Sequence, residues 1–139
     1  MLRKKGKYIL LIIIIFVIWH YYNKKKQERY FIKKEVHQLV DAIRVQDYDA
    51  IYKFLDKNIS KNISIDNLQK FSNNFNFNRD FKIKLKDYDD NKIEGFIKDS
   101  NEHNFTINRV EYNNTYYFKT ISIDNKTLKP DSFNFPITF

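Results

Sequence analysis

The chain has 139 residues, of which 25 are Lys or Arg, 17 are Asp or Glu and none is Cys. The lack of cysteine excludes disulfides, thiolate metal sites and a cysteine nucleophile. The formal charge of +8 belongs to the N-terminal part, since residues 1–34 hold ten basic residues and one acid, whereas residues 35–139 hold fifteen and sixteen. The C-terminal part therefore lacks the basic excess that a nucleic-acid-binding domain needs.

The first predicted element is a membrane anchor. Residues 8–22 (YILLIIIIFVIWHYY) carry no charged side chain and are flanked by Lys and Arg. A helix of this length covers roughly 22 Å, which is less than the hydrocarbon thickness of about 30 Å. Flanking lysines can lengthen the span, because their stems lie in the apolar layer while the ammonium groups reach the headgroups. Tyr8 and Trp19 suit an aromatic belt at its two ends.

A cleaved signal peptide and a buried core helix are the alternatives for this run. A basic start and a short apolar core suit a signal peptide, but no small residue follows at a plausible cleavage position, and the first alanine is Ala42. A core helix is disfavoured because four consecutive isoleucines leave no polar face. The sequence therefore predicts an uncleaved anchor between a basic tail at 1–7 and a basic stalk at 23–29.

The basic residues beside the anchor predict contact with anionic lipid headgroups, each worth about 1 kcal/mol near the surface. They are Arg3, Lys4, Lys5, Lys7, Lys24, Lys25 and Lys26. Their number slightly favours a cytoplasmic C-terminal domain. A short basic tail directly before an apolar core is instead typical of a signal-anchor whose N-terminus stays inside. We favour the second orientation, which places the C-terminal domain outside the cytoplasm.

Three helices are predicted after the anchor. A stripe of apolar residues with helical period predicts the first, which ends near Val45–Asp47. Its members are Ile32, Val36, Leu39, Val40 and Ile43. The second is capped by Asp47 or Asp49. KNISKNIS (57–64) is a polar loop, and the third helix starts at Ser64, where Ile63 and Leu68 form a hydrophobic staple.

From Arg79 the apolar period becomes two, which predicts four antiparallel strands. They are expected at 81–86, 93–98, 105–112 and 116–123, with turns at DYDDNK, SNEHN and NN between them. Gly95 suits a bulge in the second strand. The step from Ile107 to Val110 breaks the alternation and predicts a bulge in the third. Residues 126–139 are a C-terminal tail or an edge strand interrupted by Pro136.

Helices followed by an antiparallel meander indicate an α+β fold. We expect a domain at 30–125 in which helices pack on a curved sheet of four or more strands. An anchor, the helical pattern VHQLVDAIRVQDYDAIYKFLD, a short helix at SIDNLQKF and four strands resemble the nuclear transport factor 2-like (cystatin-like) superfamily, in particular its small membrane-anchored bacterial members. The resemblance implies a ligand-binding, catalytic or scaffolding role, the last including assembly factors of conjugative secretion systems, so fold alone does not determine function.

No catalytic residue, cofactor or metal site is predicted from the sequence. His20 lies at the anchor boundary, His37 beside the apolar stripe and His103 in a solvated turn, and no two have the helical spacing of a metal pair. Asp87–Asn91 begins like a calcium loop. It lacks the required glycine and the bidentate glutamate, because Lys92 and Lys98 stand at those positions. A hairpin turn is the better interpretation.

Two further groups are candidates for chemistry or binding. Asp41, Asp47 and Asp49 could supply a carboxylate at a pocket mouth as general acid or base, although Asp47 and Asp49 are explained as helix caps. The aromatic residues Tyr112, Tyr116, Tyr117 and Phe118 form either core or a protein-interaction face that carries Tyr117 and Lys119. With glycine only at 6 and 95, a Walker loop and a serine elbow are excluded.

The sequence therefore favours a single-pass membrane protein that acts as a non-catalytic accessory or interaction module of the cell envelope. A ligand-binding or catalytic pocket domain is the first alternative, and a membrane-active toxin or exclusion-type protein is the second. A deep pocket lined by Asp, His or Tyr would favour the first alternative. An interior filled with Phe, Ile and Leu would argue against it.

Overall fold

The structure, a computed structural model, describes residues 2–128, with side chains from Lys4 onward. Most of the predicted C-terminal segment, including Pro136, lies outside the described residues. The helices are α1 (Leu2–Val45), α2 (Tyr48–Phe54), α3 (Lys57–Ser60) and α4 (Ile65–Ser72). The strands are β1 (Lys82–Tyr88), β2 (Lys92–Lys98), β3 (Glu102–Tyr112), β4 (Thr115–Ile123) and β5 (Lys126–Leu128). The predicted α+β fold is confirmed.

The chain divides into two compact units, and the first contains the predicted anchor. This unit spans Met1–Lys34, and every side chain from Tyr8 to Tyr22 is exposed. The helix is long and apolar enough to cross a membrane, and none of its most apolar stretch is buried within the protein. Length and composition thus fit a single membrane-spanning anchor. The predicted stalk at 23–29 is helical throughout.

The second unit begins at Glu35 and includes the last three turns of α1. Val36, Leu39 and Ile43 are almost fully buried there, as the helical period predicted. α1 ends at Val45 because Gln46 adopts a positive φ of 59°. The Gln46 N–H then donates to the Ile43 carbonyl at 3.2 Å, and the Asp47 N–H to the Ala42 carbonyl at 2.9 Å. This left-handed cap satisfies the last carbonyls and confirms the predicted end.

The predicted starts of α2 and α4 are confirmed by their caps. The Asp47 carboxylate accepts the Ala50 N–H at 3.2 Å, so Asp47 is the cap and Asp49 lies in the first turn. Ser64 caps α4 by accepting the Asn67 N–H at 3.2 Å. Ile63 and Leu68 are both buried, as the hydrophobic staple requires.

The prediction of a continuous polar loop at 57–64 is wrong, because Lys57–Ser60 form the short helix α3. Asp56 starts this turn. Its carboxylate accepts the Asn58 N–H at 2.8 Å, and its carbonyl accepts the Ser60 N–H at 2.8 Å. The Asp56 N–H in turn donates to the Phe118 carbonyl at 2.9 Å, so tertiary contact with β4 holds the turn in place.

The five strands form one antiparallel sheet in the order β1-β2-β3-β4-β5. β5 provides the edge strand that was one alternative for the C-terminal segment. The β3–β4 turn has positive φ at Asn113 and Asn114, and the β4–β5 turn at Asp124 and Asn125. Two successive left-handed residues are characteristic of the tight I′ turn, which matches the twist of the flanking strands.

The bulge expected at Gly95 lies instead on the facing strand. Leu85 pairs with Gly95 and Asp87 pairs with Glu94, so Lys86 is the extra residue in β1. Gly95 has a different reason to be glycine. A Cβ there would lie 2.2 Å from the Lys84 carbonyl oxygen and 2.9 Å from the Phe105 ring. Close packing of strand and ring therefore requires the absent side chain.

The bulge expected between Ile107 and Val110 is also misplaced. Asn108 pairs with Thr120 and Arg109 with Phe118 in β4, so the extra residue is Lys119. The alternation of β3 is unbroken, because Arg109 rather than Val110 takes the next inward position. An arginine at that position is tolerated because it has partners inside the fold, which are described below.

The core lies between the helices and the inner face of the sheet. The stacking of His37 of α1 on Phe81, with ring centroids 4.4 Å apart, places the end of α1 over this face. The largest side chains with almost no exposure are Leu39, Ile43, Ile51, Leu68, Ile93, Ile97, Ile107, Phe118, Ile121 and Ile123. The inner face is therefore filled by apolar side chains.

Candidate functional site

The filled interior bears directly on a pocket between the first helix and the sheet. The three inward positions of the central strands that would form its floor are Ile97, Ile107 and Ile121, each at most 1% exposed. Phe81 and Phe105 add ring volume at the same face and are each 3% exposed. Close packing of this kind leaves little space between these side chains. An interior filled by Ile and Phe argues against the pocket alternative.

The three predicted carboxylates serve helix geometry. Asp41 accepts from the Arg44 side chain of the same helix, with Oδ1 2.9 Å from Nη2. Asp47 is the α2 cap, and Asp49 stands in the first turn of α2, where the helix dipole favours a negative charge. Each carboxylate therefore has a structural function.

The prediction that His103 lies in a solvated turn is wrong. His103 is the second residue of β3, and its side chain is only 20% exposed. Its Nδ1 hydrogen-bonds Asp124 Oδ2, and its Nε2 lies 3.5 Å from Asp99 Oδ1. The ring meets Phe77 edge-on at 5.1 Å. Register in the sheet, which the sequence alone did not reveal, brings these groups together.

The two carboxylates beside His103 have further partners. Asp99 accepts the Asn101 N–H at 2.8 Å and the Asn78 N–H at 3.1 Å, and Asp124 accepts the Asn104 N–H at 3.1 Å. Burial alone would raise the pKa of Asp99, but the backbone donors and His103 outweigh it, so that pKa is lowered. A carboxylate oxygen thus lies beside each ring nitrogen of His103. The cluster joins three turns of the chain.

Arg109 is the one buried basic residue among the described positions and was not predicted. It is 8% exposed. Its Nε and Nη2 donate to the Asp89 carbonyl at 3.2 and 2.7 Å, and its guanidinium carbon lies 4.1 Å from the Tyr116 ring centre. Strict alternation from Phe105 through Ile107 places residue 109 inward. The prediction took Val110 as the inward residue instead, because it is apolar.

Glu35 of α1 interacts electrostatically with Arg109. Burial raises the pKa of the Glu35 carboxyl, and the charge of Arg109 opposes that rise only in part. A half-buried carboxyl with a raised pKa is a common mark of catalytic sites. Glu35 lies on α1 and Arg109 on β3, so this charge interaction links the helix to the sheet.

The tyrosines near the β3–β4 turn connect elements of the fold. Tyr112 donates its hydroxyl to Asp56 Oδ2 at 3.3 Å, and the Asp56 charge raises the pKa of Tyr112. Tyr116 donates to Asp90 Oδ1 at 3.2 Å, and burial together with Asp90 raises its pKa. Phe118 belongs to the core and is stacked on Phe54 at 5.6 Å. Of the predicted interaction face, Tyr117 is half-buried and Lys119 is exposed.

The turn that resembles the start of a calcium loop is a hairpin turn, as predicted. A cleft of about 140 Å³ beside it is lined by Asp87, Tyr88, Asp89, Lys92 and Glu94. The Lys92 ammonium lies 2.5 Å from Glu94 Oε1, and the neighbouring carboxylates raise the Lys92 pKa. The lysine thus offsets one of the three acidic side chains of this lining. Within residues 2–128 no group of three or more His, Asp or Glu side chains could hold a metal.

A larger surface cleft, of about 310 Å³, lies between α4 and β5. We call it the α4–β5 cleft. Its lining residues are Asn67, Lys70, Phe71, Asn74, Asn125, Lys126, Thr127 and Leu128. Phe71 and Leu128 are buried and form an apolar floor, whereas the other lining residues are amides, a hydroxyl and two ammonium groups. No acidic residue is among these lining residues, so the rim of the cleft is positively charged. Its volume lies within the range of ligand sites.

No protein-family model, curated protein or solved structure matches this chain.

Proposed function

We propose that this protein is a non-catalytic interaction module of the cell envelope, held at the membrane by a single N-terminal helix. One observation carries the proposal: the inner face of the sheet is filled with apolar side chains among the described residues, which argues against an interior site for chemistry. The ionisable residues of the second unit support it. Asp47, Asp99 and Asp124 hold backbone N–H groups, and Arg109 holds a turn.

We propose that this chain is a scaffolding member of the nuclear transport factor 2-like superfamily. The support is the order of elements, with helices before a curved antiparallel sheet. In that superfamily the interior of the sheet is where a ligand would be bound. A chain of this order with a filled interior suits the scaffolding members better than those with a pocket.

We further propose that the second unit lies outside the cytoplasm and that the anchor is not cleaved. The support for the side is the short basic tail that directly precedes the apolar run. The support for an uncleaved anchor is that no small residue follows the run at a plausible cleavage position. The basic residues on both sides of the run would contact anionic headgroups, with Arg3, Lys4, Lys5 and Lys7 on one side and Lys24, Lys25 and Lys26 on the other.

The chain contains no cysteine, so membrane side can be tested with single introduced thiols. We expect a membrane-impermeant maleimide to label Lys119→Cys in intact cells and to label Lys4→Cys only after permeabilisation. Both variants should resist extraction by alkaline carbonate, as an integral protein does. Labelling in the reverse order would overturn the proposed side, and extraction of the intact chain would overturn the anchor.

The interaction role can be tested by photo-crosslinking of the full chain in its own membrane. A photoreactive amino acid is placed at exposed positions of the second unit, such as Lys84, Lys119 or Lys126, and for comparison at Ile13 in the anchor. We expect a discrete protein adduct from at least one position on the second unit and none from position 13. The absence of any protein adduct over the whole exposed surface would contradict an interaction module.

A further inference from the structure

We propose that the α4–β5 cleft binds an extended peptide segment of a partner protein, with acidic side chains beside an apolar one. This inference rests on the proposed interaction role and names the surface and the chemistry of the partner. It depends on three features of the cleft: the edge strand on one side, the apolar floor and the positive rim.

The edge strand offers backbone groups to the cleft. Among the described residues β5 is the last strand of the sheet, and it pairs with β4 through Ser122–Thr127 and Ile123–Lys126. In a hairpin with a two-residue turn the pair next to the turn is hydrogen-bonded, and the following pair is not. The N–H and C=O of Thr127 therefore point away from β4, toward the side where Thr127 lines the cleft. An added strand can pair with them.

The frame of the cleft is rigid. On one side α4 is capped by Ser64 and held by buried Leu68. On the other side, the turn at Asp124–Asn125 is fixed because Asp124 binds both His103 and the Asn104 N–H. A peptide that enters would not have to order the walls, and this lowers the entropic cost of binding.

The lining of the cleft selects the chemistry of the peptide. Lys70 and Lys126 are both exposed, and no acidic residue is found with them among the described lining residues. The unit that begins at Glu35 has a net charge near zero, so this local excess is not a consequence of composition. The buried floor of Phe71 and Leu128 accepts one apolar side chain, while side chains two positions away along the strand lie on the same face and reach the lysines.

Other basic positions on the sheet are less suitable for such a partner. Lys92 is neutralised by Glu94, and Lys98 lies 3.8 Å from Glu102. Lys82 and Lys84 stand on the edge strand β1, where the bulge at Lys86 interrupts the pairing with β2. Lysines and a bulge together are the usual protection of an edge against added strands.

The test uses the full chain in nanodiscs of neutral lipid and a fluorescent peptide of defined sequence. The probe is acetyl-Glu-Ala-Leu-Ala-Glu-amide, which carries its two acids on the same face as the leucine, and binding is followed by fluorescence anisotropy. Acetyl-Lys-Ala-Leu-Ala-Lys-amide of the same length is the charge control. The acidic probe with N-methylated inner amides is the control for strand pairing. We expect measurable binding of the acidic probe and at least a tenfold weaker affinity for both controls, about 1.4 kcal/mol.

Variants of the protein locate the site. Lys70→Glu combined with Lys126→Glu should weaken the affinity for the acidic probe about tenfold or more. The matched pair, Lys61→Glu with Lys119→Glu, lies outside the cleft and should change that affinity less than twofold. Thr127→Pro removes an N–H that faces away from β4 and so is tolerated on an edge strand. It should weaken binding several-fold while leaving the thermal midpoint close to that of the unmodified chain.

Several results would overturn the proposal. One is that the acidic probe does not bind. Another is that the N-methylated probe binds as tightly as the unmethylated one. A third is that the two pairs of lysine substitutions reduce the affinity for the acidic probe equally. Binding that appears only after deletion of residues 129–139 would assign the cleft to this chain's own C-terminal segment instead of a partner. If protein adducts form elsewhere on the second unit while the probe fails to bind, this inference falls and the proposed interaction role stands.

Discussion

The guanidinium carbon of Arg109 lies 4.1 Å from the ring centre of Tyr116, in the one place within residues 4–128 where a basic side chain is buried. The same side chain donates twice to the Asp89 carbonyl, and Tyr116 bonds Asp90. Two neighbouring strands thus hold the β1–β2 turn against the sheet. At this end of the core, the contacts of Arg109 occupy an inward position that an apolar side chain would otherwise fill.

We expect Arg109→Ala to reduce the free energy of unfolding by about 2–4 kcal/mol. The change leaves the Asp89 carbonyl without a donor and the half-buried Glu35 without a countercharge, and both effects are costly inside a protein. The measurement is denaturant unfolding of the full chain in detergent, followed by circular dichroism. Lys119→Ala, at an exposed position of the adjacent strand, should stay within about 0.5 kcal/mol. A loss below about 1 kcal/mol for Arg109→Ala would show that the buried contacts contribute little.

Gly95→Ala should disrupt the pairing of β1 and β2. The added Cβ would lie 2.2 Å from the Lys84 carbonyl oxygen and 2.9 Å from Phe105, so backbone and ring must both move, at a cost of roughly 2 kcal/mol or more. Gly6→Ala is the matched control, because a Cβ added at Gly6 would meet no atom within 4 Å. We expect slower amide exchange in the control than in Gly95→Ala throughout β1. Equal exchange in the two variants would contradict the packing argument.

Glu35→Gln should stabilise the protein at neutral pH and not at acid pH. The folded-state pKa of Glu35 is raised above 4.5, so folding disfavours the ionised form. The unmodified chain therefore loses stability as the pH rises through the folded pKa, and the amide does not. Unfolding curves from pH 4 to pH 8 should separate with rising pH. Glu28→Gln, at an exposed position, should run parallel to the unmodified chain, and a parallel curve for Glu35→Gln would refute the prediction.

Asp99→Asn should have the opposite pH dependence. The folded-state pKa of Asp99 lies below 3.8, so its ionised form contributes stability above the unfolded pKa, and this is lost as the pH falls through the folded pKa. The variant should be less stable than the unmodified chain at pH 6, with a difference that narrows toward pH 3. Asp80→Asn, at an exposed position, is the control. A difference that stays constant with pH would mean that the lost contacts are not electrostatic.

Asp47→Ala should cost about 1 kcal/mol, because the variant loses the side-chain acceptor of the Ala50 N–H at the start of α2. Asp49→Ala should cost only a few tenths of a kcal/mol, since Asp49 acts through the helix dipole alone. Thermal unfolding of the two variants in parallel compares the two possible caps. A larger loss for Asp49→Ala would reverse the assignment.

The helical part of the fold was largely predictable because its signals are local. The cap at Ser64, the staple of Ile63 and Leu68 and the end of α1 near Val45 each depend on residues within one or two turns. The helical turn within 57–64 was not predicted, because a contact with a distant residue holds it. That turn of helix is fixed by the hydrogen bond from Asp56 to Phe118, which lies 62 positions away in sequence.

The sheet shows where sequence patterns become insufficient. Alternation predicted the strands, but both bulges were assigned to the wrong strand, because an extra residue is defined by the register of two strands and not by one. Arg109 is buried through contacts with Asp89 and Tyr116, and His103 lies between Asp99 and Asp124. Each of these sets joins residues from separate strands and turns that only pairing brings together.

By itself the sequence determined the apolar run at 8–22, the location of the basic excess within residues 1–34, the α+β order and the helix caps. These follow from composition, period and near neighbours. Only the tertiary structure decided that the inner face is filled, that the buried charge is Arg109 and that a positively rimmed cleft lies between α4 and β5. The physical reason is that burial and charge pairing depend on which distant side chains share the same space.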